Sequence, residues 1–478
     1  MGLPTEKRRQ VALVIAVLIL AAFNLTFRLT SESVTQWDES LYANSALDML
    51  DGGSVVVTTI GGEVDYFNAK PPLNVWLIAG SLRVFGRSLL ALRVTAVAAA
   101  WLTVAVLLLW ARRRIGHDAG LFGALVLSTS FGFLHVHSSR SANPDALLAL
   151  LLLLTVITLD GAAARPWRRV WLGPLLTGVF FLKGMAVLLP LLLIVVLEIR
   201  RRVPARERWV PLGVATALAA VPIALWAVAR WRVDGSLFFE RMFFQDFIDL
   251  SLRPPPDQSG SPLFYLSVLL KHQYDWLIAG IAVGLLYPPA SWRSFAQRLA
   301  FWRARDEYVV VLGWWTALAF IVPTIMQTKA AWYINPFYPT FALAAGALLQ
   351  YGSSHVHGPR DRRLLLTAAV VMAAVVSESR VFWYSDHYRA LDRTTQGVLL
   401  AEADRLKGAR VYNTSWDLAE LFVVRGLVQA DPSTITIEEF VSRADPMDFL
   451  VLPANVNHPS LRRVAVRGGY GLYQRQPY

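Results

Sequence analysis

Long apolar runs recur along this chain, and arginine clusters separate them. A backbone in hydrocarbon must satisfy its own hydrogen bonds, so runs of this length restrict the fold to membrane-crossing helices. With 55% of 478 residues hydrophobic and only 17% charged, several bilayer spans are needed to house the apolar surface. The chain reads as mainly α, a polytopic helical membrane protein. The clusters Lys7-Arg8-Arg9, Arg112 to Arg114, Arg168-Arg169, Arg200 to Arg202, Arg293 to Arg305 and Arg360 to Arg363 are expected on the cytoplasmic side. Basic loops of this kind account for the +12 net charge, so nucleic acid is not an expected partner.

Orienting the runs by their arginines puts a first span at about 11 to 30 and an external loop at 31 to 87. The charged start, Glu6 to Arg9, resembles a signal peptide but lacks a small-residue cleavage site, so it is expected to stay as the first helix. Residues 73 to 85 are apolar yet short for a crossing and suit a helix lying in the interface. Later spans are expected near 89 to 111, 119 to 137, 144 to 160, a pair within 170 to 198, 209 to 230, 275 to 290, 307 to 326, 331 to 350 and 363 to 378, about eleven in all. Arginine on both flanks of 170 to 198 demands an even number of crossings, which makes that stretch a hairpin with Lys183 at its external tip. The external segment 231 to 262, with Glu240, Arg241, Asp246, Asp249, Arg253 and Pro254 to Pro256, reads as a mobile substrate loop. The membrane domain is thus 1–378. Residues 379–478 are more polar and alternate helix-like and strand-like segments, as in Leu391 to Leu406 and Phe449 to Leu452, which predicts a small extracytoplasmic α/β domain.

The external loop opens with Gln36-Trp37-Asp38-Glu39-Ser40-Leu41-Tyr42. An acidic pair at the mouth of a membrane helix is solvated, paired or used in chemistry. Lys70-Pro71-Pro72 in the same loop brings a cation towards it, and acid with cation points to an anionic substrate. The topology also puts Arg140, Asp145, Lys183 and Lys329 at external helix ends, where all can converge. Arg140 and Asp145 bracket a turn before Pro144, either as a structural pair or as a binding element. After Lys329, Trp332 and Tyr333 sit at headgroup depth, where aromatic belts are common. His135 and His137, two apart, point in different directions on a helix, and His272 is alone, so a histidine metal site is not expected. There is no cysteine for a disulfide or thiolate site, and no GxxxxGK[ST] loop for ATP. The absence of an internal repeat gives inverted-repeat transporter architectures no help.

In order and motif the chain resembles the C-type (GT-C) polytopic glycosyltransferases that take sugars from polyprenyl phosphate, particularly the aminoarabinose transferases of lipid A and the protein O-mannosyltransferases. The resemblance covers most of the membrane part. It rests on Asp38-Glu39 followed by Tyr42, on Tyr66-Phe67-Asn68-Ala69-Lys70-Pro71-Pro72, and more weakly on Arg140 with Asp145, Lys183-Gly184, and Tyr333 with Pro336 and Pro339. It implies that Asp38 is the catalytic acid-base residue, that Lys70 and Lys183 hold the donor phosphate and that Tyr333 closes over the site. Glu39, Tyr42, Arg140, Asp145 and Lys329 complete the expected substrate-binding set. Two departures are plain: Ala69 stands where the aminoarabinose transferases have a glutamate that helps bind a metal, and Leu41 replaces an arginine. A divalent metal and aminoarabinose are therefore both in doubt.

The expected reaction is an inverting displacement at the anomeric carbon, with Asp38 as base, its pKa raised near the membrane surface and by a proton shared with Glu39. The expected partners are a polyprenyl-phosphate sugar, an extracytoplasmic acceptor (lipid, glycan or protein) and the lipid bilayer. A transporter or lipid flippase is the rival class, which would disperse its charges along broken helices at mid-bilayer. A ligase using a lipid-linked oligosaccharide would differ only in its donor. The arginine-, alanine- and leucine-rich composition is bacterial in type, which places the protein in the plasma or inner membrane with its N-terminus cytoplasmic.

Overall fold

The structure, a computed structural model, describes residues 5–201, 203–253, 258–286, 306–354 and 360–476. Arg202, Pro254 to Pro256, Arg293 to Arg305 and the expected span end at 287 to 290 lie outside these, as do the side chains of Arg360 to Arg363. Helix α1 (Thr5–Thr26) leads to two short helices, α2 (Asp38–Leu50) and α3 (Leu73–Phe85), joined through a two-strand hairpin of β1 (Thr59–Ile60) and β2 (Glu63–Val64). Then follow α4 (Leu89–Arg114), α5 (His117–Ser128) with one further turn α6 (Phe131–His135), α7 (Asp145–Ala164), α8 (Leu172–Lys183), α9 (Leu188–Arg200) and α10 (Ala205–Asp234). The bundle closes with α11 (Phe264–Leu286), α12 (Glu307–Ile325), α13 (Tyr338–Ser354) and α14 (Arg360–His387). With α5 and α6 taken as one interrupted element, eleven helical segments among the described residues fall near the expected spans, several of them too short to cross a bilayer alone. Among the described residues, six helical stretches are long and apolar enough to cross a membrane by length and composition.

One of those stretches, residues 166–200, is a hairpin. Arg169 Nε lies 3.0 Å from Glu198 Oε1, which a straight helix of about 1.5 Å rise per residue would hold some 40 Å apart. The reversal falls at Gly184, whose φ of 47° is costly for any residue with a Cβ, so Lys183 does sit at a tip. At the other end of the bundle, Arg169 and Arg201 share Glu198 and Arg114 pairs with Asp160 at 3.1 Å. Arginine clusters therefore collect at one end, and Asp38 of the loop after the first helix lies with the Lys183 tip at the opposite end.

Residues 119 to 137 are not one helix. The first helix stops at Ser128, Ser130 caps the next turn by accepting from Phe133 N at 3.3 Å, and the chain leaves helical geometry after His135. The last pass also runs longer than expected: α14 continues to His387, past the expected boundary at 378, and pairs Asp386 with Arg28 of the first helix exit.

Beyond α14, a five-stranded sheet has the order β4-β3-β5-β7-β6, with β3 (Arg410–Asn413) parallel to β4 (Asp431–Thr434) and β5 (Phe449–Pro453). The strands β6 (Leu461–Arg467) and β7 (Tyr470–Arg475) run antiparallel and finish the sheet beside β5. The core of this α/β domain is continuous with the membrane part: Val398, Phe422 and Val423 pack with Ala43, Leu47, Val75 and Ile78 of α2 and α3. Gly426 permits the approach, since a Cβ there would meet Leu47 Cδ1 at 2.6 Å. Asn44 donates to Leu418 O at 2.8 Å, so the domain grips the helix that begins at Asp38.

Candidate functional site

Trp37, at φ 72°, turns the chain into α2 so that Asp38 and Glu39 occupy its first turn, where carboxylates complement the helix dipole. Consecutive residues on a helix diverge by about 100°, and the two acids part. The Asp38 side chain is 29% exposed, and its Oδ2 lies 2.8 Å from His137 Nε2. The other ring nitrogen of His137 lies 3.3 Å from Asp145 Oδ2, and Asp145 Oδ1 accepts from Lys183 Nζ at 2.9 Å. Lys70 Nζ donates to Asn68 Oδ1 at 2.6 Å and stands 5.9 Å from the centroid of the buried Tyr42 ring. Four elements thus meet at the end of the bundle away from the arginine clusters: the start of α2, the Lys70 loop, the start of α7 and the tip of the hairpin.

Charge in this cluster is strongly coupled. Burial pushes the Asp38 carboxyl up, but Lys70, then the hydrogen bond and charge of His137, then Lys183, together hold it well below the usual carboxylate range. Burial opposes the Lys70 ammonium, and the Tyr42, Asp38, Asp246 and Tyr333 side chains around it outweigh that and keep it charged. Tyr333, half-buried beside the same groups, has its hydroxyl pushed up by burial, and the Tyr42 hydroxyl moves the same way for the same reason. Asp246, from the segment expected to be a loop, joins the set through its field on Lys70; burial raises it, and Lys70 only partly offsets the rise.

Glu39 belongs elsewhere. It is fully buried, paired with Arg93 Nε at 2.8 Å, and accepts from Thr35 N at 2.8 Å and Ala142 N at 3.1 Å. It therefore shares no proton with Asp38 and meets no substrate; the expected rise in the Asp38 pKa is a fall, because cations and not a second acid surround that carboxylate. Arg140 is also buried and faces away from Asp145, donating to Glu32 Oε1 at 3.0 Å and to Asn24 O at 2.6 Å, so the expected Arg140–Asp145 pair does not form. Lys329 donates to Thr324 O at 2.7 Å and to Met326 O, closing the carbonyl end of α12. Asp145, 1% exposed, holds His137 and Lys183 and is not itself open to a ligand.

His137 is the residue that sequence reasoning passed over. Its φ of 54° and its stacking on Trp332, centroids 4.4 Å apart, follow from the break after His135. The signal was present in Ser138-Ser139-Arg140-Ser141-Ala142-Asn143-Pro144, a run that favours turns over a continuing helix. For a metal, the position expected to hold a glutamate is the buried Ala69, both nitrogens of His137 already face carboxylates, and among the described residues no group of three or more His, Asp or Glu is placed to hold an ion. The residues present do not fit a divalent ion.

Residues 69–226 match the dolichyl-phosphate-mannose-protein mannosyltransferase family. Over 347 residues the chain is 30% identical to the undecaprenyl phosphate-alpha-4-amino-4-deoxy-L-arabinose arabinosyl transferase of Pseudomonas aeruginosa, a match covering 70% of this chain and 59% of the relative. The chain thus spans less than two thirds of the length of that curated relative. Its fold is similar to that of ArnT from Cupriavidus metallidurans in the apo state, with a TM-score of 0.69 at 17% identity over 98% of both chains. The same protein bound to undecaprenyl phosphate gives a TM-score of 0.66 at 16% identity over 97% of both.

A bundle of apolar helices, an acid at the start of the helix after the first one and a small α/β domain docked on that helix define a GT-C fold. In sequence and fold the chain is similar to the superfamily of polytopic membrane proteins that includes the aminoarabinose transferases and the protein mannosyltransferases.

Proposed function

We propose that this protein transfers a sugar from a polyprenyl-phosphate donor to an acceptor outside the cytoplasm, by inverting displacement with Asp38 as general base. The observation that carries the reading is one partly exposed carboxylate beside two ammonium groups, Lys70 and Lys183, at the non-arginine end of the bundle. Negative charge grows on the phosphate as the glycosidic bond breaks, and fixed cations in a low-dielectric site favour that state over the ground state. Lys183 spends one donor on Asp145 and has others for phosphate oxygens.

In the free protein the depressed pKa of Asp38 makes it a weak base. A bound donor phosphate would neutralise Lys70, the largest of the groups that lower it, and so bring Asp38 back towards the working range as the complex forms. The polyprenyl tail lies among the spans, and the α/β domain on α2 borders the acceptor side. The protein sits in the cell membrane with its arginine end cytoplasmic. A single cysteine at the exposed Ser442, in a chain that has none, should react with an impermeant maleimide from outside the cell.

The deciding experiment is transfer of radiolabelled sugar from a panel of synthetic polyprenyl-phosphate sugars by purified protein, comparing wild type with Asp38→Asn and Lys70→Ala. Turnover of one donor that Asp38→Asn all but abolishes and Lys70→Ala lowers at least about 10-fold supports the reading. No turnover of any donor, or turnover indifferent to Asp38→Asn, rejects it in favour of a flippase or transporter.

A further inference from the structure

A histidine with a carboxylate at each ring nitrogen is an unusual thing to build unless both nitrogens carry protons. A neutral imidazole has one N–H and one lone pair, and a lone pair facing an ionised carboxylate is repelled. His137 has Asp38 Oδ2 at 2.8 Å from Nε2 and Asp145 Oδ2 at 3.3 Å from Nδ1. Both acids are held ionised by other cations: Lys70 acts on Asp38, and Lys183 sits 2.9 Å from Asp145. The ring is held from three directions. Its backbone is left-handed at φ 54°, its face stacks on Trp332 with a 17° interplanar angle, and the preceding carbonyl, Val136 O, accepts from Asn335 Nδ2 at 3.1 Å.

We propose that His137 is the positioning residue of the site: an imidazolium bridging Asp38 and Asp145, which fixes the Asp38 carboxylate by one oxygen and leaves the other to the acceptor. This rests on the transferase reading above. The series Lys183, Asp145, His137, Asp38 alternates in sign, so each member orders the next. It also joins the hairpin tip, the start of α7 and the start of α2 into one frame. Burial disfavours the charged ring, but the hydrogen bonds and charges of Asp145 and Asp38 outweigh it and raise the ring above the ordinary histidine value. The groups that set the field here are Asp38, Asp145 and Asp246 against Lys70 and Lys183, with the hydroxyls of Tyr42 and Tyr333 uncharged. Deprotonation at high pH would leave only one N–H for two acids and release one of them.

The test begins with the ¹⁵N spectrum of histidine-labelled protein in nanodiscs, with the His137 signals assigned as those missing from His137→Gln. In wild type both ring nitrogens should stay protonated at pH 7.5, and Asp145→Asn should lower the midpoint. Kinetically, His137→Gln should lower kcat by roughly 10- to 100-fold, the scale of a misplaced catalytic group, with donor KM changed less than about 3-fold. It should also remove the alkaline fall in kcat. A neutral ring at pH 7.5 in wild type overturns the proposal, as does a His137→Gln enzyme with wild-type kcat and pH profile. Should His137→Gln misfold, Trp332→Leu takes its place, with assignment by Asp38→Asn and Asp145→Asn shifts: loss of the stack should lower kcat in the same direction while the alkaline fall persists, because the ring still titrates, and a Trp332→Leu enzyme with wild-type kcat overturns the proposal. A bridging imidazolium in a protein that turns over no donor defeats the transferase reading and the positioning role together, and leaves the ionic bridge as structure alone.

Discussion

Asp38 and Glu39 are neighbours on one helical turn, and the structure gives them opposite circumstances. Glu39 is sealed in protein with every nearby donor directed at it: Arg93, the Thr35 backbone and hydroxyl, and Ala142 N. Arg93 in turn donates to Leu29 O, Glu32 O and Ser33 O, while Arg140 donates to Asn24 O and Phe27 O, so that cluster staples the exit of α1 to α4 and α7. Asp38 keeps a partly open face, and its cations are lysines and a histidine, not a forked guanidinium. Saturated ion pairs hold a fold together, whereas an acid left partly open among cations is available to a ligand.

The contrast breaks most sharply with substitution of the acids. Asp38→Asn should lower kcat by about 10²- to 10⁴-fold, the usual worth of a general base, with a melting temperature close to wild type. Glu39→Gln should do the reverse. It leaves Arg93 buried without its counter-charge, at about 3–5 kcal/mol of stability, while the fraction that still folds keeps its turnover per molecule. Thermal melting in nanodiscs beside the transfer assay separates the two, and a stable, inactive Glu39→Gln would erase the distinction.

If Lys70 holds the donor phosphate as proposed, Lys70→Ala should lower kcat/KM for the donor by about 10- to 100-fold, the roughly 1.5–3 kcal/mol of a charge-assisted contact. A change seen only in acceptor KM would move Lys70 to the other substrate. The pH dependence sharpens the comparison further. Because its folded pKa is depressed, Asp38 adds stability that is present above its unfolded value, about 3.9, and is lost only as pH falls through the lower folded value. From pH 5 to 8 the free protein should therefore show no acid inflection in kcat/KM from Asp38. An inflection in that window that Asp38→Asn removes would mean the lysines are not where the structure puts them. The smallest effect is expected at Arg425, a 30% exposed partner of Asp48 at 3.0 Å on the edge of the domain contact: Arg425→Ala should cost about 1 kcal/mol or less by denaturant melting.

Much of the fold was legible. Apolar length and arginine placement suffice for a bundle of many apolar helices and the hairpin at Lys183, because bilayer thickness and charge asymmetry act on the chain locally, and alternating helix- and strand-like segments suffice for the terminal α/β domain. Asp38, Lys70 and Lys183 were legible as a cluster for the same reason, since topology alone sends them to one end. Which of the charged residues there would be structural was not legible. Arg140, Lys329 and Glu39 carry the same charges and share the same end, yet each turns to a carbonyl or counter-ion from a segment distant in sequence. His137 was hidden by a helix expected through it, and Asp246 by a loop expected at 231 to 262, where the structure instead has helical turns over Leu237–Glu240, Arg241–Asp249 and Leu250–Leu252, an apolar-rich stretch whose helical order sequence reading passed over.

By itself, then, the sequence determined that this chain crosses a membrane many times, which end of the bundle carries the arginines, and that an acid and two lysines gather at the opposite end. Tertiary structure decided which acid stays open, which is locked to Arg93, and that a left-handed histidine joins Asp38 to Asp145. Crossing a bilayer is set by the length and polarity of contiguous segments, whereas a side chain's partner is set by residues 54 to 108 positions away, as with Arg93 and Glu39 or Arg140 and Glu32, that meet only when the helices pack.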